Sequence, residues 1–274
     1  MNLFDSIIVS YTSMLNDPWF WQFPMATLAL SFVAFMAFAL PWTALAYFEP
    51  NWLKPYRIQE KPIEVRTTFW PSIYHSIKNT LISAVFLIVL WPVIQLAPIH
   101  MGDIPAWYVV LLQIVFFIFL DDFLYYWMHR TFHENKWLLK HVHSVHHRIR
   151  NTCAINGNYM HWFEFSCTAG IMLIGPMLVG AHLYVVWAWV ILRQFEAADG
   201  HMGYDIPWNP AKLFIIYHGP VYHDFHHAKF KGNYAGFLSY LDKLFGNTHV
   251  KNYLSYTQRK AKGESTEAIR STLK

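Results

Sequence analysis

Eight histidines stand in three short strings: His129-Arg-Thr-Phe-His133, His143-Ser-Val-His-His147 and His223-Asp-Phe-His-His227. The chain holds 16 histidines in 274 residues. At that frequency one H-x-x-H-H string arises by chance about 0.05 times, so two copies behind an H-x-x-x-H are a signal. A neutral imidazole is a metal ligand, whereas gathered protonated ones repel one another and are costly to bury. On a helix, positions i, i+3 and i+4 share a face. The spacing predicts three helical faces: His129 with His133, His143 with His146 and His147, and His223 with His226 and His227. Structural zinc is complete with four ligands, so eight or more imply two metals. All-imidazole sites take zinc, copper, iron or nickel. Spacing alone leaves two chemistries open: dioxygen activation by redox metals or hydrolysis by zinc.

Other residues extend the pattern. His201, in Asp199-Gly-His-Met-Gly-Tyr204, is expected as a ninth ligand, and His161, in Tyr159-Met-His-Trp-Phe-Glu164, is a second-tier metal candidate. His218 is a weaker candidate. His141 lies on the wrong helical face, and His75, His100, His182 and His249 read as interfacial or surface residues. Asp122 precedes Tyr126, His129 and His133 on one helical stripe. It is read as the catalytic-site acid that orients a ligand imidazole, with a snorkelling carboxylate as the alternative. Glu164, Glu196, Asp199 and Asp224 are further acceptor candidates.

The elements that must position these residues are apolar. Hydrophobic residues make up 55% of the chain and charged residues 14%, against about 25% charged in a typical soluble domain. Such composition excludes disorder, and two cysteines exclude a disulfide scaffold; Cys153 and Cys167 are expected as free thiols. No Lys or Arg occurs before Lys54, between Lys78 and Arg130, or between Arg150 and Arg193. These gaps contain apolar runs at about 26–48, 80–98, 107–127 and 165–192, and a span needs about 20 apolar residues. The last run, cut by Gly175, Pro176, Gly180 and His182, reads as a helical hairpin. The predicted fold is an all-α integral membrane protein with about four transmembrane helices and a cytosolic helical cap holding a His-rich dimetal site. Residues 1–25 are expected as an interfacial segment without a signal peptide, 26–250 as one transmembrane and catalytic domain with its boxes at 129–227, and 251–274 as a polar tail. With the hairpin returning to its starting side, all Lys and Arg fall on the cytosolic face. The net charge of +4 gives no sign of nucleic acid. A His-rich transporter or sensor is disfavoured, because the first two runs carry no polar or ionisable group at mid-depth. Trp187, Trp189 and Phe195 are candidate contacts for a lipid substrate entering between the spans, with plain lipid-facing surface as the alternative. Lys251, Arg259, Lys260 and Lys262 form a basic tail that can attract an acidic electron donor or anionic lipid headgroups, with a solvated face as the alternative.

The three strings in this order resemble the fatty acid hydroxylase and sterol desaturase superfamily. The stretches Trp187–Arg193, His201–Pro207, His223–His227, Gly232–Ala235 and Leu244–Gly246, with Tyr56–Pro62, look most like the C-4 methylsterol oxidases. The resemblance implies a non-haem di-iron, dioxygen-dependent oxidoreductase in the endoplasmic reticulum membrane, with its active site on the cytosolic side. It implies iron on the eight box histidines and His201, with zinc possible in isolated protein. Electrons would come from NAD(P)H through a cytochrome b5-like carrier. The reaction would be repeated oxidation of a sterol C-4 methyl group in sterol biosynthesis. Sterol C-5 desaturases and fatty acid or sphingolipid hydroxylases share the boxes and are the sibling alternatives.

Overall fold

A computed structural model describes residues 3–213, 217, 219–230, 232–245, 255–265, 268–269 and 272. His218, His249, Lys251 and Gly246 lie outside the described residues. The described residues form helices and turns, with only isolated bridges such as Arg57 to Tyr204 and His100 to His182.

Helix α1, Leu3–Ser13, lies against the end of the second span, where Met14, Phe20 and Trp91 bury one another. Four helices are long and apolar enough to cross a membrane: α2 (Pro18–Phe48), α3 (Val65–Val89), α4 (Trp107–Glu134) and α5 (Trp162–Val179). Their outward faces expose Leu81, Val85, Leu111 and Leu112, as surfaces turned toward lipid do. Helix α6, Leu183–Gly200, follows after a turn at Gly180. The run at 165–192 is therefore a helical hairpin. Gly180 has φ 57°, a left-handed conformation that glycine adopts without a Cβ penalty.

Two spans differ from their expected limits. The first begins at Pro18, eight residues early, because a π-turn over Trp21–Met25 carries the helix through Pro24. The second covers Val65–Val89 instead of 80–98. It ends there because Trp91 and Pro92 open a new short turn, and proline cannot donate to a continuing ladder. Its first half escapes a hydropathy reading because one stripe is polar: Ser72, Ser76, Asn79 and Ser83 are all buried. This corrects the expectation that the second span has no polar group. The stripe faces protein: Asn156 Nδ2 donates to Ser72 Oγ at 3.0 Å, and Asn79 Nδ2 to the Met160 carbonyl at 3.0 Å.

The core has two main parts. Phe35, Ala39, Leu53, Ile155, Ala198 and Tyr204 join α2 and α6 to the connecting segments, and Phe117, Met172, Leu183 and Trp189 join α4, α5 and α6. Gly157 permits the closest approach. A Cβ there would lie 2.4 Å from the Ala197 carbonyl oxygen, so only glycine lets the 154–158 turn lie on α6. Helices α7 (Gly219–Lys229) and α8 (Tyr240–Phe245) complete a cap with the 135–160 connection. Tyr256 and Ile269 of the tail pack on Phe225 of α7.

Candidate metal centre

The chain presents its histidines from four places. His129 and His133 end the buried stripe of α4, below Asp122 and Tyr126. The second string is not an α-helical face, as its spacing predicts. It lies in a π-turn over Leu139–His143 followed by a 3-10 turn over His146–Arg148. The third string lies on α7, and His201 follows the end of α6.

The nine rings form two groups. His129, His133, His143, His147 and His226 make one, and His146, His201, His223 and His227 the other; within each, the potential ligand nitrogens all lie within 4.8 Å of one another. The adjacent pairs His146-His147 and His226-His227 are split between the groups. Consecutive residues of a helix point about 100° apart, so such a pair cannot serve one ion and instead ties two positions together.

The ring nitrogens facing inward are Nε2. His133 Nε2 lies 2.8 Å from that of His143, 3.1 Å from that of His147 and 3.2 Å from that of His226. In the second group, His223 Nε2 lies 2.9 Å from His201 Nε2 and 3.1 Å from His227 Nε2. Six outer nitrogens are held by acceptors. His129 Nδ1 donates to the Tyr234 carbonyl at 2.7 Å, His226 Nδ1 to Gly232 at 2.6 Å, His227 Nδ1 to Ile149 at 2.9 Å and His201 Nδ1 to Ala197 at 2.8 Å. His146 Nδ1 donates to the Tyr159 carbonyl at 3.1 Å and His143 Nδ1 to Glu164 Oε1 at 2.8 Å. A neutral imidazole with its proton on Nδ1 offers a lone pair at Nε2. Hydrogen bonds between the Nε2 atoms would require imidazolium, and burial forbids it. Burial, reinforced by neighbouring histidines, pushes His223, His226 and His227 well below the ordinary range, and His201 down to about 3. Converging lone pairs fit metal ions. Metal–nitrogen bonds of about 2.0–2.1 Å give nitrogen–nitrogen edges of about 2.9 Å at right angles and about 3.4 Å in a tetrahedron.

Two expected site residues lie elsewhere. Asp122 does not orient an imidazole: its Oδ1 accepts from the backbone N–H groups of Phe237 and Leu238 at 2.8 and 3.0 Å. That clamp fixes the 234–238 segment, whose Tyr234 carbonyl holds His129. His161 joins neither group. Its Nδ1 accepts from Phe163 N–H at 3.2 Å and caps α5. Glu164 is the acceptor that reaches a ligand ring. Asp224 accepts from Gln59 at 2.7 Å, Asp199 from Tyr217 and Asn209, and Glu196 from Arg193.

A cavity of about 660 Å³ opens between α2, α3, α5 and α6. Phe23, Leu28, Phe86 and Leu173 line it, and it ends on His146, His201 and His223. Trp187, Trp189 and Phe195 do not line it. Trp189 is buried with its indole N–H on the Met172 carbonyl, Trp187 donates to Thr27, and Phe195 packs edge-on against Phe38. Sequence reasoning missed Asp242, whose carboxylate takes the N–H groups of Tyr234 and Ala235 at 3.0 Å each. It also missed the buried pairing of Arg193 with Asp121 at 3.0 Å. One signal was available for the latter: Arg193 is the first basic residue after a long basic-free run, and a buried arginine requires a partner.

Residues 114–247 match the model of the fatty acid hydroxylase family. The very-long-chain aldehyde decarbonylase GL1-11 of Oryza sativa subsp. indica is 40% identical over 146 residues, 52% of this chain and 54% of that protein. Methylsterol monooxygenase 1-3 of Arabidopsis thaliana is 31% identical over 221 residues, 78% of this chain and 75% of that protein. Methylsterol monooxygenase 2-2 of the same plant is 38% identical over 146 residues, again 52% of this chain and 54% of that protein. The chain thus spans about half the length of the first of the curated relatives it matches. No solved structure matches it.

Proposed function

Because this chain belongs to the fatty acid hydroxylase family, we propose that it is a membrane-bound oxygenase that holds two iron ions on its nine grouped histidines and oxidises the C-4 methyl group of a sterol. The observation that carries this reading is the apolar cavity ending on His146, His201 and His223. Support for a sterol comes from the relative named methylsterol monooxygenase that aligns over 78% of the chain. Iron in these positions supplies dioxygen activation, which no side chain provides alone. The protein's own tasks are positional. Glu164 and the backbone carbonyls keep a proton on the outer nitrogen of each ring they hold and so leave the inner one as a ligand. The apolar walls exclude water and hold a lipid against the histidines. In this reading the catalytic domain runs to residue 250 and takes in the first span from Pro18, which shortens the interfacial segment to residues 1–17, with 251–274 as a tail. The distribution of basic residues supports a cap on the cytosolic side of the endoplasmic reticulum membrane, where a cytochrome b5-like carrier would deliver electrons from NAD(P)H.

The aldehyde decarbonylase relatives make a very-long-chain aldehyde the second reading. The two separate in one experiment. Iron-loaded protein in lipid receives a reductant, ¹⁸O₂ and either a 4,4-dimethylsterol or a very-long-chain aldehyde. A sterol carrying ¹⁸O at the C-4 methyl is expected. An unchanged sterol beside alkane from the aldehyde overturns the first reading in favour of the second.

A further inference from the structure

The inner end of the cavity holds a second polar cluster beside the histidines. Arg193 is buried on α6 and lines the cavity together with Glu196 and Tyr125. Its Nε pairs with Asp121 at 3.0 Å and its Nη1 with Glu196 Oε2. Its guanidinium carbon lies 5.6 Å from the Tyr125 ring centre and 5.2 Å from that of Phe237. Among the described residues, the bonds of this cluster use Arg193 Nε and Nη1 and Glu196 Oε2, and no hydrogen bond takes Arg193 Nη2, Glu196 Oε1 or the Tyr125 hydroxyl. The cluster adjoins the four-histidine group. A β-carbon placed on Gly200 would lie 3.8 Å from Glu196 Oε1 and 3.9 Å from His223 Cδ2. The Tyr125 ring lies 5.2 Å from that of His129.

These groups are complementary to one kind of ligand atom. Two carboxylates already flank a single guanidinium, so a further anion would be buried without a counter-charge, which is costly. A free donor nitrogen and a free acceptor oxygen side by side match a group that both accepts and donates. We propose that Arg193, Glu196 and Tyr125 form a binding site for a substrate hydroxyl group, which donates to Glu196 Oε1 and accepts from Arg193 Nη2 or the Tyr125 hydroxyl. The proposal rests on the reading of the cavity as the substrate site. For a sterol it has a geometric consequence. The 3-hydroxyl is on the carbon next to C-4, so seating it here presents the C-4 methyl to His146, His201 and His223.

A site with buried hydrogen-bonding groups discriminates against a ligand that leaves them unpaired. The test is equilibrium binding to the full-length protein in lipid, with two matched pairs of ligands. One pair is a 4,4-dimethylsterol and its 3-deoxy analogue; the other is a very-long-chain alcohol and the corresponding alkane. The hydroxylated member is expected to bind at least about tenfold more tightly. In Tyr125→Phe and Glu196→Gln this ratio should fall several-fold, while affinity for the deoxygenated member stays unchanged and reports an intact cavity. Equal affinity within whichever pair binds overturns the hydroxyl site but leaves the oxygenase reading standing. Binding of the alcohol pair alone, with preference for the hydroxyl, supports the site and removes the sterol. Binding of neither pair overturns both.

Discussion

The five-histidine and four-histidine groups draw on the same three strings, with His201 added to the smaller, yet their surroundings differ. In the larger group, a carboxylate backs His143 and carbonyls back His129 and His226. None of its five rings lines the cavity. In the smaller group, the backing of His146, His201 and His227 is entirely carbonyl oxygen, and three of its four rings face the cavity. An ion with five protein ligands has little room for another. One with four, beside an apolar chamber, has room and access. The comparison supports a division of labour, with one position held by the protein and the other turned toward the substrate.

Deleting one ligand from each group should break that symmetry most strongly. His201→Ala leaves three ligands beside the cavity. It is expected to lose about half of the bound metal and to reduce turnover at least about 100-fold. His147→Ala leaves four ligands in the closed group and should retain most of its metal with a smaller loss. Metal per protein by elemental analysis, read beside oxygen-dependent turnover, decides the matter. Equal metal loss in the two variants would remove the distinction. A subtler change sharpens it. Glu164→Gln weakens the charged acceptor behind His143, and the loss of such a partner typically costs about 10–100-fold in metal affinity. Competition with a chelator should show one metal equivalent leaving more readily than the other.

Much of this arrangement is legible in the residues themselves. The histidine spacings carry eight of the nine grouped rings, the place of His201 after the last apolar run carries the ninth, and the basic-free runs carry the spans. Gly180 and His182 mark the hairpin turn, while α5 runs on through Gly175 and Pro176. What remains hidden has physical causes. Most acceptors behind the rings are backbone carbonyls, at Tyr234, Gly232, Ile149, Tyr159 and Ala197, and a carbonyl leaves no trace in residue type. The polar stripe Ser72, Ser76, Asn79 and Ser83 lowers the hydropathy of a helix whose other face is apolar, so the second span appears fifteen residues late. The second string departs from α-helical geometry by running through a π-turn and then a 3-10 turn, which periodicity at 3.6 residues cannot reveal.

Asp122 tests how a carboxylate beside a histidine string should be read. Its sequence position fits an acid serving a ligand ring, whereas its Oδ1 holds two backbone N–H groups. Asp122→Asn retains a carbonyl oxygen for both donors and should change stability and metal content little. Asp122→Ala leaves two buried N–H groups unpaired and is expected to cost about 1–3 kcal/mol each at most, seen as a lower melting temperature with weaker retention of His129 at its site. Loss of activity in Asp122→Asn with an unchanged melting temperature would restore the acid role.

The smallest expected effect separates His161 from the nine grouped histidines. As the cap of α5, it needs a neutral ring whose Nδ1 accepts from Phe163 N–H. Burial first, and the charge of Lys78 next, lower its pKa below the ordinary 6.5. A depressed folded-state pKa means that the contribution is full above pH 6.5 and disappears as pH falls through the folded value. His161→Ala should cost about 1 kcal/mol at neutral pH with metal content unchanged. His161→Asn should recover most of that loss, because asparagine caps helices well, and its stability should no longer share the acid-side decline due to the cap. A ligand would behave otherwise: both substitutions would release metal, and asparagine would rescue neither.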